Sequence, residues 1–118
     1  MMKKLFPNLL QQQSRDQGIS LLLDISADLH YFDGHFPDAP VLAGVAQLDW
    51  AVQFSQQFLL GNRQVVSVEV LKFQQMVQPG CQLRLELDVQ KADTSTFSYR
   101  CDERTVASGR LKWGPAVE

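Results

Sequence analysis

The spacing of the apolar residues changes once along this chain, and that change restricts the folds open to it. From Gly44 to Leu60 the residues favour a helix, without proline or interior glycine, and Gly61-Asn62 follows as a stop signal. From Val65 onward the apolar residues instead recur at every second position, which is typical of strands with one buried face. One helix of about 17 residues followed by several strands predicts an α+β protein.

The strands after the helix are marked by alternation and by turn residues. In the run Gln82 to Lys91, leucine or valine occupies positions 83, 85, 87 and 89, and charged or amide residues lie between them. Similar runs predict three further strands, and Pro79-Gly80, Ala92-Asp93 and Asp102-Glu103 supply the turns. Those three runs are Val65–Phe73, Thr94–Cys101 and Thr105–Trp113. Before the helix, we predict a strand over Ile19–Ile25, a long ordered loop over 26–43, and over 1–18 an irregular lead-in with room for a short strand or a helical turn.

A meandering antiparallel sheet has one apolar face that must be buried, and a single helix packed across that face is the simplest way to bury it. This arrangement is the hotdog fold, and we expect residues 1–118 to form one such domain. A helical wheel places the apolar arc on Leu48, Ala51, Val52, Ser55, Phe58 and Leu59. Because Trp50 and Ala46 fall outside that arc, we expect a second chain to cover them in a dimer.

Composition excludes several classes of protein. The net charge of −2 favours neither nucleic acid nor an anionic membrane as a partner. No apolar run approaches the roughly 20 residues that span a bilayer. Cys81 and Cys101 lack the spacing of a metal or redox motif, so we expect reduced thiols in a cytoplasmic protein.

The residues that carry chemistry are concentrated between Gly34 and Asp49. This segment reads Gly-His-Phe-Pro-Asp-Ala-Pro-Val-Leu-Ala-Gly-Val-Ala-Gln-Leu-Asp, and it holds His35, one of the two histidines of the chain. It joins a titratable base, a proline-bounded loop, a helix start and a carboxylate. Proton transfer next to a carbonyl requires a base, an acid and a donor to the developing oxyanion. His30 has no such motif around it, and we expect it to be structural.

This segment resembles the signature of the β-hydroxyacyl acyl-carrier-protein dehydratases: Gly-His-Phe-Pro, a second proline, Pro-Gly-Val, then Glu or Asp on the helix. A second block, Leu71-Lys72-Phe73 with Val77-Gln78-Pro79-Gly80 and Leu83-Arg84-Leu85, is similar to the strand pair of the same family. The continuation Asp49-Trp50-Ala51 is most similar to the small stand-alone dehydratase-like proteins of aryl-polyene-type gene clusters. The two blocks cover roughly residues 31–90 in the order the family has them.

Two residues depart from the family pattern. Ala43 replaces the usual proline before Gly44, and alanine can adopt the same backbone conformation with less preorganisation. Cys81 replaces the usual aspartate after the turn glycine, and we attach no catalytic role to it. Aspartate at position 49 occurs in the branch of the family that also isomerises double bonds.

The resemblance implies dehydration of a 3-hydroxyacyl thioester carried on acyl carrier protein. His35 would take the C2 proton, since histidine titrates near neutral pH. Asp49 would protonate the leaving hydroxyl, which requires apolar surroundings that raise its pKa. The Gly44 and Val45 amides would hold the thioester oxygen at the helix start. Phe36 and Gln53 complete the expected substrate contacts.

The resemblance also implies a homodimer or larger homo-oligomer with each site shared between two subunits, and neither a metal nor another cofactor. We expect no nucleic-acid partner and no membrane insertion. Basic residues would receive the phosphopantetheine arm of the carrier, and the candidates are Arg63, Lys72, Arg84, Arg100 and Arg104.

Three alternatives stay open at this stage. Asp49 lies near Gln53 and Gln56 on the wheel, so it could belong to a solvated helix face. The chain could also be an acyl-thioesterase of the same fold, which would not need Gly-His-Phe-Pro. It could finally be a non-catalytic acyl-binding protein, which would tolerate a change such as Ala43.

Overall fold

The chain forms one six-stranded antiparallel sheet with a helix against it. The structure is a computed structural model, and it describes residues 5–26, 28–29 and 42–116. Helix α1 spans Gly44–Ser55 and continues as a wider π-helical turn over Gln56–Leu60. The strands are β1 (Asn8–Arg15), β2 (Gly18–Asp24), β3 (Arg63–Phe73), β4 (Gln82–Lys91), β5 (Thr94–Cys101) and β6 (Arg104–Ala116).

The predicted helix and five predicted strands are confirmed, with small changes at their ends. The stop at Gly61 is confirmed too: its N–H bonds to the Gln56 carbonyl at 2.8 Å, and its φ of 61° is one that glycine adopts readily. Within the lead-in expected over residues 1–18, the strand is β1, and its eight residues make it longer than the short strand or helical turn that we expected. All eight residues of β1 are exposed, so its side chains show no alternation that a sequence pattern could reveal.

The strand order is β1-β2-β4-β5-β6-β3, with every neighbouring pair antiparallel. Two-residue turns join β4 to β5 and β5 to β6, as expected. The simple meander is wrong for β3, which pairs with β6 at the far edge while β2 pairs with β4. Eight residues separate β3 from β4, and this connection is long enough to cross the sheet.

The core lies between α1 and one face of the sheet. Alternation in β4 is confirmed: Leu83, Leu85 and Leu87 are fully buried, and the residues between them are only half-buried. The sheet contributes mainly leucines and aromatic residues, and the helix contributes Ala46, Trp50, Ala51 and Phe54. Burial of these apolar side chains is the main term that stabilises the helix against the sheet.

The expected apolar arc of the helix is wrong by about a quarter turn. The buried residues are Ala46, Gln47, Trp50, Ala51, Phe54 and Ser55, whereas Leu48 and Val52 are partly buried. Two large aromatic rings fill the space above the sheet, and their size outweighs the several smaller side chains of the expected arc. Trp50 and Ala46 are therefore covered within one chain, and they give no reason for a dimer.

The expectation of two reduced thiols is also wrong, because Cys81 and Cys101 are joined in a disulfide. Cys81 directly precedes β4 and Cys101 ends β5, so the antiparallel hairpin brings them together despite 20 residues of separation. Sequence spacing alone contains no sign of this pairing.

Within the described ranges, no helix has the length and apolar character needed to cross a bilayer.

Candidate active site

The start of α1 is held in place, while its first amides have no partner among the residues that the structure describes. The Leu42 N–H bonds to the Val77 carbonyl at 2.7 Å, which ties the chain just before the helix to the β3–β4 connection. The Ala43 carbonyl accepts the N–H groups of Ala46 and Gln47 at 3.1 and 3.3 Å. Neither the Gly44 nor the Val45 N–H has a hydrogen-bond partner among residues 5–26, 28–29 and 42–116. These two amides are therefore available to an oxyanion, at the positive end of the helix dipole.

Ala43 adopts the backbone angle that proline would impose. Its φ is −64° and its ψ is 146°, and no side chain caps the helix at this position. A proline ring holds φ near −65°, so the alanine leaves the geometry of the helix start unchanged. Alanine in place of proline therefore keeps the folded conformation, but it removes the restriction that proline would place on the unfolded chain.

The approach to Gly44 is occupied by an aromatic ring. A Cβ atom on Gly44 would lie 2.8 Å from Cζ of Phe73, closer than real side chains approach one another. Phe73 ends β3 and is 48% exposed, so its ring covers the helix start from the sheet edge. From the sequence we expect the substrate's thioester oxygen to contact the Gly44 amide. In the structure the ring of Phe73 lies next to Gly44.

Asp49 lies on the helix face turned away from the sheet. Its carboxylate is half-buried, and its Oδ1 accepts a hydrogen bond from Gln53 Nε2 at 3.4 Å. Val45, one turn earlier, is 71% exposed, and Gln53 is exposed one turn later. Among the residues that the structure describes, the apolar surroundings expected for Asp49 are therefore incomplete. Leu48 and Val52 are partly buried and pack against the core.

The proposed base and the aromatic residue after it are not among the described residues. His35 and Phe36, together with His30, lie outside the described residues. Their roles stay predictions, and so does the meeting of His35 with Asp49 over a substrate.

Tyr99, which lies behind the helix opposite Asp49, was missed by the reasoning from sequence. Tyr99 is fully buried in β5, and its hydroxyl donates a hydrogen bond to the Gln47 carbonyl oxygen at 2.6 Å. Burial raises the pKa of Tyr99 well above its usual value, and the charge of Asp49 raises it further. A signal was available, since Tyr99 falls at an inward position of an alternating strand and a buried tyrosine needs a partner.

Gln47 is itself buried, with an incompletely paired side chain. Its Nε2 donates to the Leu42 carbonyl at 3.4 Å, and its Oε1 has no hydrogen-bond partner within the described ranges. Residue 47 therefore contacts both the sheet, through its main chain, and the segment that leads into the helix.

The five basic candidates have different surroundings. Arg63 donates to three backbone carbonyls, of Ala92, Trp113 and Gly114, which gives it a structural role at the sheet end. Arg84 donates to Ser20 Oγ, and Arg100 to the Glu103 carbonyl. Lys72 directly precedes Phe73 on an exposed edge strand, and Arg104 is exposed. Of the five, Lys72 is the one that is next in sequence to Phe73, whose ring covers the helix start.

No group of three or more His, Cys, Asp or Glu side chains that could hold a metal ion occurs in the described part of the chain.

Comparison with known proteins identifies relatives across most of the chain. The family model described as "ApeI-like: ApeI dehydratase" matches residues 11–110. The dehydratase heterocomplex ApeI:P from Xenorhabdus doucetiae contains a chain that is 32% identical, with a TM-score of 0.87. That match covers 92% of this chain and 98% of the other. A second structure, an uncharacterized protein from Erwinia carotovora subsp. atroseptica, is 36% identical with a TM-score of 0.85, covering 96% and 99% of the two chains.

The curated relatives that the chain matches are also dehydratases. The 3-hydroxyacyl acyl-carrier-protein dehydratase FabZ of Geobacillus thermodenitrificans is 31% identical over 90 residues, which is 70% of this chain and 60% of the relative. FabZ of Wolbachia pipientis wMel is 27% identical over 92 residues, covering 72% and 64% of the two chains. The matches thus span about three fifths of the length of these relatives.

Proposed function

Because the chain belongs to the ApeI-like dehydratase family, we propose that it removes water from a 3-hydroxyacyl thioester on acyl carrier protein, giving the trans-2-enoyl thioester. The observation that carries the proposal is the family match over residues 11–110, which includes the Gly-His-Phe-Pro segment and Asp49. The pathway would be fatty-acid or polyene synthesis, and a carrier-bound substrate would place the protein in the cytoplasm.

Each proposed catalytic group has one task. His35 accepts the C2 proton, and the electron pair of that C–H bond forms the double bond as the C3–O bond breaks. Asp49 donates a proton to the departing hydroxyl, so that water leaves. The free amides of Gly44 and Val45 hold the negative charge that develops on the thioester oxygen. Gln53 orients the Asp49 carboxyl group through its hydrogen bond to Oδ1.

We propose that a second chain completes the site. Asp49 faces away from its own sheet and is only half-buried, so a neighbouring chain would have to supply the remaining apolar cover. A carboxyl group acts as an acid near neutral pH only when it is removed from water. In a homodimer, His35 of one subunit would face Asp49 of the other. One similar chain belongs to a dehydratase heterocomplex, which supports oligomerisation in this family.

The edge of β3 is the surface we propose for that contact. β3 pairs with β6 on one side only, and its outer edge carries exposed apolar side chains. These are Val66, Val68, Val70, Leu71 and Phe73, with Met76 just beyond the strand. An unpaired strand with such side chains is a template for pairing with another chain. Lys72 on the same strand would be available to the carrier's phosphopantetheine arm.

One assay tests the activity. The protein is incubated with a 3-hydroxyacyl thioester, and enoyl absorbance is followed beside the release of free thiol. Enoyl formation without thiol is expected, with a rate reduced about a hundredfold or more in His35→Ala and Asp49→Asn. Thiol release would identify a thioesterase, and binding without turnover would identify an acyl-binding protein.

Mixing the two inactive variants tests whether the sites are shared. In a heterodimer of His35→Ala and Asp49→Asn with shared sites, one site carries both lesions and the other carries neither. Random pairing then restores about a quarter of the wild-type rate as the subunits exchange. If each subunit holds its own pair, every site keeps one lesion and no activity returns.

A further inference from the structure

Contacts between α1 and the sheet are mostly apolar. Ala46, Trp50, Ala51 and Phe54 provide most of the buried helix surface, and their packing sets the overall rotation of the helix. Hydrophobic burial has no preferred direction, so it resists small rolls or slides of the helix less sharply than a hydrogen bond does. A directional contact is needed to hold a functional group on the opposite face in one place.

The Tyr99 hydroxyl provides such a contact. It comes from the middle of the sheet, through β5, and meets the Gln47 carbonyl in the first two turns of α1 at 2.6 Å. The phenol is completely buried, and its ring contacts Phe97 edge-on with centroids 6.0 Å apart. Both the bulk of the ring and the direction of its hydroxyl are therefore constrained.

Gln47 and Asp49 are two residues apart, which places them on nearly opposite faces of the helix. Any tilt or roll that lengthens the Tyr99–Gln47 bond moves the Asp49 carboxylate on the other side. The Gln47 side chain also bonds to the Leu42 carbonyl, so the same residue holds the segment leading to the free amides of the helix start.

We propose that Tyr99 is a positioning residue, which, through its hydrogen bond to the Gln47 carbonyl, sets how Asp49 projects from the far face of α1. The proposal rests on the catalytic role proposed above for Asp49. Tyr99 does not touch the substrate. Because burial keeps the phenol neutral, it donates this hydrogen bond throughout the working pH range.

Tyr99→Phe isolates this role, since it removes one oxygen and keeps the ring. In an α-helix the Gln47 carbonyl also accepts the N–H of residue 51, so the change leaves no buried acceptor without a partner. The variant is therefore expected to fold. If its unfolding curve shows a partly unfolded population, sucrose is added to all samples, because excluded osmolytes favour the compact state.

Ser95→Ala is the matched control. The buried Ser95 hydroxyl accepts a hydrogen bond from Trp113 Nε1 at 2.8 Å, between β5 and β6. Its removal breaks one buried hydrogen bond, as in Tyr99→Phe, and also takes this acceptor from the buried Trp113 N–H, so it perturbs the fold at least as much. The lost bond lies between β5 and β6 and not between the sheet and α1. Steady-state dehydration is measured for wild type and both variants. We expect Tyr99→Phe to lower kcat about tenfold to a hundredfold with little change in KM, and Ser95→Ala to leave both unchanged.

A second readout does not depend on activity. The NMR signals of the Asp49 carboxyl carbon and of the Gln53 side-chain amide report the position of the far helix face. We expect both to shift in Tyr99→Phe and to stay in place in Ser95→Ala. Unchanged signals in a folded Tyr99→Phe would overturn the proposal, and so would a loss of kcat equal to that of Ser95→Ala. If the wild type shows no dehydration, the proposed function fails, and the NMR comparison still decides whether Tyr99 positions Asp49.

Discussion

At Gly44, the nearest atoms that a single added methyl group would meet all belong to the ring of Phe73. The Cβ of an alanine would lie 2.8 Å from the Phe73 ring, but that ring is the half-exposed end of a side chain and can move. We therefore expect Gly44→Ala to change the free energy of unfolding by less than about 1 kcal/mol, as measured by urea unfolding. The displaced ring would cover the free amides and lower the dehydration rate.

A double-mutant cycle checks the cause of that loss. Phe73→Ala removes the ring, so Gly44→Ala should cost much less activity in that background than in the wild type. Equal losses in both backgrounds would contradict a clash with Phe73. Gly114→Ala serves as a control, since its Cβ would meet only Val66 and the Gln64 carbonyl at the β3–β6 edge.

Tyr99 makes stability depend on pH at the alkaline end. In the unfolded chain a tyrosine titrates near pH 10, whereas burial, followed by the charge of Asp49, raises the pKa of Tyr99 well above that value in the folded chain. Below about pH 10 the phenol is protonated in both states, and its contribution to stability is fully present. Above it only the unfolded chain ionises, so the free energy of unfolding falls by about 1.4 kcal/mol per pH unit until the folded pKa is reached.

Urea unfolding at pH 9 and at pH 11 measures this effect. The wild type should lose more stability between the two pH values than Tyr99→Phe, which has no phenol at this position. An identical loss in the two proteins would show that Tyr99 is not protected from ionisation by the fold.

At the scale of elements, the hairpin of β4 and β5 is closed by the Cys81–Cys101 disulfide. A covalent bond across about 20 residues restricts the unfolded chain and stabilises the fold by up to about 3 kcal/mol. Cys101→Ser should therefore lower the free energy of unfolding in non-reducing buffer. Reducing agent should lower the stability of the wild type to that of the variant. A peptide map without reductant that finds two free thiols would contradict the cross-link.

At the scale of the whole molecule, the exposed edge of β3 is the surface that we propose for the contact between subunits. Val66 is 66% exposed in the single chain, so Val66→Lys should cost the isolated subunit little. A charge on an edge strand opposes pairing with another chain. We expect the variant to be monomeric by light scattering and to lose dehydration, if the site is completed by a second chain.

Gln90→Lys is the control for added charge, since Gln90 is exposed on β4 and lies away from the β3 edge. It should keep the mass and activity of the wild type. A Val66→Lys protein that stays oligomeric and active would mean that another surface forms the interface.

Much of the architecture could be predicted because its signals are local. The alternation of leucines in β4 and the stop at Gly61 depend on neighbours a few residues away, and both are confirmed. The extent of β1 was not predicted, because its exposed side chains have no pattern; backbone pairing with β2 makes it a strand. The catalytic role of Asp49 stays a prediction from its motif, and its place beside Gln53 outside the apolar arc, which the helical wheel predicted, is confirmed.

The sequence by itself determined the helix, five of the six strands, the family and the chemical groups available for proton transfer, because these follow from residue type and short spacing. Only the tertiary structure decided which helix face is buried, where β3 pairs, that Cys81 meets Cys101 and that Tyr99 bonds to Gln47. Each of these depends on residues far apart in the chain, and on how large side chains such as Trp50 and Phe54 fill a shared space. Their packing turned α1 by about a quarter turn, and so directed Asp49 away from its own sheet.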